Sequence, residues 1–235
     1  MLKKLHTPRP VDLTADSIRD EILSGRIAPG ERLPPERKLS ETLGINRQTL
    51  RAALARLQAE GLVEPRQGSG VTVLNWRETA GVSLLPHLVA AGDLSLLEPF
   101  LRLRRAVTAE IVASACTRVT DQELDELDEL AHALAAETDL EVLANGNMVF
   151  SRRLIQLTQN LPIELLFNTF AAIYASREDL QTAMLRNPDA LRAVFPAIVG
   201  LLRQRQPEMA RQVVLQVLTA IDEELLAATL STLEP

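Results

Sequence analysis

A single cysteine, Cys116, excludes an internal disulfide and any metal cluster built on cysteine. It stands in an apolar helical pattern, so a buried structural thiol is expected. Histidine is nearly as scarce. His6, His87 and His132 lie far apart, His132 is expected on a helix surface, and none follows it. The only lysines are Lys3, Lys4 and Lys38. Aromatic residues make up 3% of the chain, and none precedes Trp76. No apolar run reaches the roughly 18 to 20 residues of a membrane span, so no membrane partner is expected. The opening Met1–Pro10 is polar and broken by proline, unlike a signal peptide, and reads as a mobile arm. Together these features imply a cytoplasmic protein. Glycine-rich phosphate loops, nucleophile motifs and paired carboxylates in a polar cleft pattern are also missing, which argues against an enzyme.

The charge that is present is unevenly placed. The net charge of −6 combines a basic beginning with an acidic remainder. Residues 1–75 hold 12 Lys and Arg against 9 Asp and Glu, whereas the rest hold 13 against 22. That split implies two domains, the first suited to a polyanion and the second unsuited to one.

The run from Pro34 to Gly70 shows what the first domain is for. Leu39 and Leu43 share one face of a short helix, and Gly44 ends it. Ile45 fits a turn plugged into the core, and Asn46 is an N-cap for the next helix. That helix carries Leu50, Ala53, Leu54 and Leu57 at the spacing of one buried face. Its opposite face opens with Arg47, Gln48, Thr49 and Arg51. Arginine bonds guanine bidentately, glutamine pairs with adenine, and threonine reaches a phosphate or a thymine methyl. A recognition helix presents its N-terminal residues to the bases in this way. Gly61 ends the helix. Leu62 and Val63, then Val71, Thr72 and Val73, read as two short strands around a polar tip of Arg66, Gln67, Gly68, Ser69 and Gly70. The pattern is a winged helix-turn-helix. An αα-hairpin with solvated charges is the plainer alternative.

This segment also resembles the GntR family of bacterial transcription regulators. The core Pro29, Gly30, Leu33, Pro34, Glu36, Arg37, Leu39 and Ser40 matches the family pattern PG-x-x-LP-x-ER-x-LS. Carried over by position, the family's DNA contacts fall on Arg37, Asn46, Arg47, Gln48, Thr49, Arg51, Gln67 and Gly68. Where FadR carries histidine at the wing tip, this chain has Gln67. The helical remainder, and Trp76-Arg-Glu-Thr-Ala-Gly after the wing, are similar to the FadR branch with its FCD domain.

The expected fold is mainly α, a winged helix-turn-helix over 1–75, a linker over 76–80, and an all-α bundle of six to eight helices over 81–235. Within the first domain, Asp12 to Ile27 reads as a helix. Trp76 is the expected packing anchor between domains. Further helices are expected near 80–91, 94–117, 121–137, 139–159, 161–173, 176–185, 188–204 and 207–231. Asp121, Asp139 and Asn187 are the expected caps. The acidic run after Asp121 carries Leu124, Leu127 and Leu130, so it reads as an amphipathic helix with a solvated acidic face. Phe150, Phe167, Phe170, Tyr174 and Phe195 fall in mid-bundle, where they pack a core or line a ligand cavity.

The resemblance also bears on ligands. Many members of the branch hold a divalent metal through an Asp and a His four apart and two later His. Here those positions are Asn147, Ser151, Phe195 and Val217, so no metal and no cofactor is expected. The implied small-molecule effector is a fatty acyl type or an organic acid. Arg102, Arg105, Asn147, Phe150, Ser151, Phe195 and Val217 are the candidate ligand-binding residues, and Arg104 belongs to the same arginine cluster. The overall reading is a ligand-responsive regulator, with repression as the expected sign. It is expected to bind palindromic double-stranded operator DNA as a homodimer. An architectural DNA binder without effector is the alternative. The PLP-dependent branch of the family is excluded by the absence of any lysine after Lys38.

Overall fold

The computed structural model describes residues 9–66, 70–90, 94–176 and 185–231, the side chains of 90, 94, 176, 224 and 228–231 excepted. Two compact units meet in sequence between Leu84 and Leu85.

In the first unit, α1 (Pro10–Leu23) starts on a proline, which lacks only an N–H that a first helical turn leaves unbonded. It ends four residues earlier than the periodicity implies, at the Gly25 turn. Its face of Ala15, Ile18 and Ile22 is buried against α3 (Arg47–Ala59), which supplies Leu50, Ala53, Leu54 and Leu57. Between them lies α2 (Glu36–Thr42). Gly44 takes a φ of 64° to reverse the chain after α2. Asn46 caps α3 as expected, its side chain accepting the Thr49 N–H at 2.8 Å.

The wing is an antiparallel pair, β1 (Val63–Arg66) and β2 (Gly70–Val73), in register from Val63↔Val73 to Arg66↔Gly70. A third segment joins its edge. Leu33 N–H donates to Val71 O at 2.9 Å, and Val73 N–H to Glu31 O at 2.8 Å. The Pro-Gly-x-x-Leu-Pro stretch is thus a partial strand that ties the wing to the start of α2, a role the sequence pattern did not disclose.

Residues 76–79, read from the sequence as linker, form one helical turn, α4 (Trp76–Thr79). Trp76 is half-buried, with the Arg77 guanidinium 4.6 Å from its ring centre. Thr79 Oγ1 donates to Gly61 O at 2.7 Å. Gly61 needs to be glycine for two reasons: its φ is 77°, and an added Cβ would meet the Thr79 carbonyl, with the carbon at 2.8 Å.

The second unit holds seven α-helices among the described residues: α5 (Leu85–Ala90), α6 (Leu97–Arg118), α7 (Asp121–Ala135), α8 (Leu140–Leu157), α9 (Leu161–Ser176), α10 (Pro188–Gln204) and α11 (Pro207–Ser231). Most of the helix expected over 176–185 lies outside the described residues. Helix α6 packs along α11, α7 along α10, and α5 on α9. Asp139 and Asn187 cap α8 and α10 as expected. The cap of α7 is Thr120 rather than Asp121, in a reciprocal capping box with Glu123. There the hydroxyl accepts the Glu123 N–H while the Glu123 carboxylate takes the Thr120 N–H, so two orphan donors are satisfied at once.

Two apolar cores result among the described residues of this unit. The larger contains Val112, Cys116, Leu127, Leu143, Phe150, Phe195 and Leu202. The smaller contains Val89, Leu97, Phe100, Leu101, Phe170 and Ile173. Cys116 is fully buried, and burial pushes its thiol pKa up, as befits a packing residue. The acidic face of α7 is largely exposed, as its pattern implies, and its carboxylates form ion pairs at the surface. Asp128 pairs with Arg203 at 2.6 Å, Asp121 with Arg205 at 2.7 Å, and Glu126 with Arg153 at 2.6 Å.

The two glycine turns give a comparison of strain with clash. Gly44→Ala is expected to cost about 1 kcal/mol, from the left-handed backbone alone. Gly61→Ala, which adds a backbone collision, is expected to cost about 3 kcal/mol. Urea unfolding of the first unit followed by Trp76 fluorescence measures both.

Candidate DNA interface and effector site

Burial of the Leu50–Leu57 stripe leaves Arg47, Gln48 and Arg51 exposed on the other face of α3, with Thr49 half-buried beside them. Asn46 is exposed, but its side-chain oxygen is engaged as the cap, which leaves its amide hydrogens available. Arg37 is exposed on α2 and pairs with Glu41 at 3.2 Å. Arg51 Nε donates to Glu36 at 2.9 Å, so the start of α2 holds a recognition-helix side chain in the free protein. Arg51 and Arg66 both line a groove of about 460 Å³ with Leu33, Glu36, Leu39 and Pro65, so wing and recognition helix share this side of the unit. Gln67 and Gly68 lie outside the described residues.

A charge network that the sequence reading missed ties α3 to α1. Arg19 on α1 is 1% exposed. It bonds both carboxylate oxygens of Glu60 at the end of α3, at 2.7 and 2.8 Å, and also Asp16. Arg56 of α3 reaches Asp12 of α1 at 2.6 Å. The bidentate geometry keeps the guanidinium charged, its pKa held up by both carboxylates against burial. A signal was present, since Arg19 follows Ile18 within the Ala15–Ile22 face of α1.

In the helical unit the candidate effector residues separate. Phe150 and Phe195 are buried, with ring centres 5.1 Å apart and edge to face, so they fill the larger core. Asn147 and Ser151 are half-buried on α8. Val217 is 45% exposed, and Arg102 is exposed. The residues at the metal positions are therefore two half-buried polar groups, a core ring and a surface valine. Among the described residues, no group of three or more His, Cys, Asp or Glu gathers where a metal ion would fit. His132 is exposed, beside Asp128 on the preceding turn.

Arg105 lies elsewhere, in a buried polar cluster. Asp222 of α11 is fully buried. Arg104 pairs with one of its oxygens, and Arg105 approaches the other at 3.3 Å. Arg104 also donates to Tyr174 Oη at 2.8 Å. Burial pushes the Asp222 carboxyl pKa up, opposed by both guanidinium groups. Sequence reasoning singled out the arginines and missed their partner. The clue was its place on an otherwise apolar face with Leu215, Leu218 and Leu225. A cleft of about 480 Å³ lies nearby, between α6 and α9, lined by Val107, Glu110, Asn160, Pro162, Ile163 and Leu166 among others.

A basic winged helix-turn-helix joined to an all-helical domain defines a DNA-binding transcription regulator rather than an enzyme. The comparisons with known proteins give its family. The gntR family of bacterial regulatory proteins matches residues 11–73, and the FCD domain matches residues 100–220. The HTH-type transcriptional regulator Mce2R of Mycobacterium tuberculosis is 30% identical over 223 residues, covering 92% of this chain and 91% of its own. A fatty acid metabolism regulator protein of Enterobacter is 30% identical over 168 residues, covering 70% and 69%. Lar, which controls the expression of the Listeria monocytogenes agr system, shares the fold with a TM-score of 0.55 at 18% identity, covering 95% of this chain and 98% of its own. The chain belongs to the GntR family and carries an FCD helical effector domain. Among the described residues, no helix is long and apolar enough to cross a membrane.

The separation of Phe195 from Val217 is measurable. Phe195→Ala is expected to cost about 3–5 kcal/mol, as for a ring removed from a packed core. Val217→Ala should stay within about 0.5 kcal/mol. Thermal unfolding checks both, and a small effect at Phe195 would place it on a cavity wall instead.

Proposed function

We propose that the protein is a ligand-responsive repressor that binds a palindromic operator as a homodimer. In this reading Arg47, Gln48 and Arg51 read base edges, Thr49 and Arg37 hold phosphates, and Asn46 contributes from the helix start. The observation that carries it is the exposed row of Arg47, Gln48 and Arg51 on the face of α3 opposite its buried stripe. Arg37 and Arg66 flank that row from α2 and the wing. Gln67 and Gly68 at the wing tip complete the proposed contacts. One recognition helix reads one half-site, and twofold symmetry supplies the second.

The effector proposed for the helical domain is of the fatty acyl type or an organic acid. The likeness to fatty acid metabolism regulators supports the first kind, and the half-buried arginines beside an apolar core support a carboxylate in general. Binding is proposed to shift helix packing and, through the segment around Trp76, to change the spacing of the two winged domains. An architectural role without effector predicts instead that no small molecule alters operator affinity.

Operator binding by a fragment selected from random DNA tests the assignment. Arg47→Ala and Arg51→Ala should each weaken specific binding by about 1–3 kcal/mol, roughly five- to 150-fold. Arg37→Ala should weaken specific and non-specific binding alike, and reduce the slope of log K against log salt by about 1. Unchanged affinity in both α3 variants would mean that another surface reads DNA.

A further inference from the structure

The Arg104–Arg105–Asp222 cluster is out of balance. Two guanidinium groups, 20% and 14% exposed, share one buried carboxylate, and Asp222 is the only carboxylate within 4 Å of either among the described residues. Arg104 Nε and Asp222 Oδ2 are both buried without a hydrogen-bond partner among them. A donor left in this state costs the fold desolvation that nothing returns. The cluster therefore has room, electrostatically, for one further anion.

Arg104 and the cleft lie on the same seam between α6 and α9. Arg104 and Val107 stand one turn apart on α6, roughly 4.5 Å along its axis. Leu166, Phe170 and Tyr174 follow one another at four-residue spacing on α9. Val107 and Leu166 line the cleft at one end of this seam, and Arg104 bonds Tyr174 further along it. Phe100 and Phe170 lie edge to face at 5.5 Å in the same core. The cleft's 480 Å³ falls within the ~300–1,000 Å³ of small-molecule sites. Its lining is apolar apart from Asn160, which caps α9, and Glu110, which pairs with Arg211 at 2.7 Å. A second carboxylate at that end of a ligand would meet Glu110.

We infer that Arg104 and Arg105 anchor the carboxylate of an apolar monocarboxylic acid whose body lies along the α6–α9 seam, and that Asp222 is a built-in stand-in which this carboxylate displaces or joins. The inference rests on the effector reading above and names its site and chemistry. Burial opposes the Asp222 charge, so this carboxyl can take up a proton as an incoming anion takes over its arginines. Nothing in this arrangement calls for a metal ion.

Calorimetric titration of the full chain with decanoate, decanol and decanedioate tests it. Decanoate is expected to bind, with decanol and decanedioate at least tenfold weaker. Asp222→Asn, which frees both arginines, is expected to tighten decanoate about tenfold. Arg104→Met combined with Asp222→Asn keeps the buried net charge of the native cluster and should lose that gain. Decanol binding as tightly as decanoate, absence of decanoate binding, or weakening by Asp222→Asn would each overturn the site. The ligand series on the native chain decides the matter even if a variant fails to fold. Operator affinity separates the two levels. Arginine-dependent decanoate binding that leaves operator affinity unchanged would defeat the effector reading and keep the site. An operator response that survives in the double variant would do the reverse.

Discussion

Burying one face of α3 forces the other face into solvent, and the proposed DNA-binding surface depends on that constraint. Leu50, Ala53, Leu54 and Leu57 are removed from water by α1 and the base of the wing. With 3.6 residues per turn, Arg47, Gln48 and Arg51 then have nowhere to lie except outside. Asn46 starts the helix at the residue before them, so the side chains facing outward are also those of the first turns, which a recognition helix presents to base edges. The Arg19–Glu60 bidentate pair holds the far end of α3 to α1. Apolar packing alone leaves a helix some freedom to slide, whereas a paired guanidinium admits one register.

The wing depends on this helix in turn. Gly61 lets the chain leave α3 and enter β1, and the Thr79 hydroxyl closes over it. The Gly30–Leu33 segment then pairs along β2, so the family's Pro-Gly-x-x-Leu-Pro pattern has a structural role in backbone hydrogen bonds that hold the wing. Glu36, at the end of the same pattern, holds Arg51. A free arginine side chain spends its entropy on binding, and one already paired has less to lose.

In the helical unit the physics is different. Its larger core is apolar and tightly filled by Phe150 and Phe195, leaving little for a polar ligand to bond. Its smaller core has charges at its margin. An arginine pair with one buried aspartate is an expensive arrangement in a structure only marginally stable, and such arrangements concentrate at functional sites. The place where the family's metal would sit and the place where this chain keeps its buried charge are therefore distinct.

Much of this was legible in the residues themselves. The helix period of α3, the glycine turns, the two-unit charge split and the family pattern located the recognition helix to within a residue. The order of the helices followed from capping residues and prolines, with Thr120 in place of Asp121 at one start. Such features are local, set by neighbours three or four positions away. What stayed hidden was set by partners distant in sequence. Arg19 meets Glu60 across 41 positions, and Arg104 meets Asp222 across 118. Periodicity marks a charged residue on an apolar face as odd, but it cannot say which opposite charge the fold brings to it. The sequence by itself thus determined the family, most of the helices and the side chains that face outward on α3. Only the tertiary structure decided that Phe195 is core, that Val217 is surface, and that the arginines of α6 are already half-answered by an aspartate from the last helix, because burial and pairing are properties of neighbours in space.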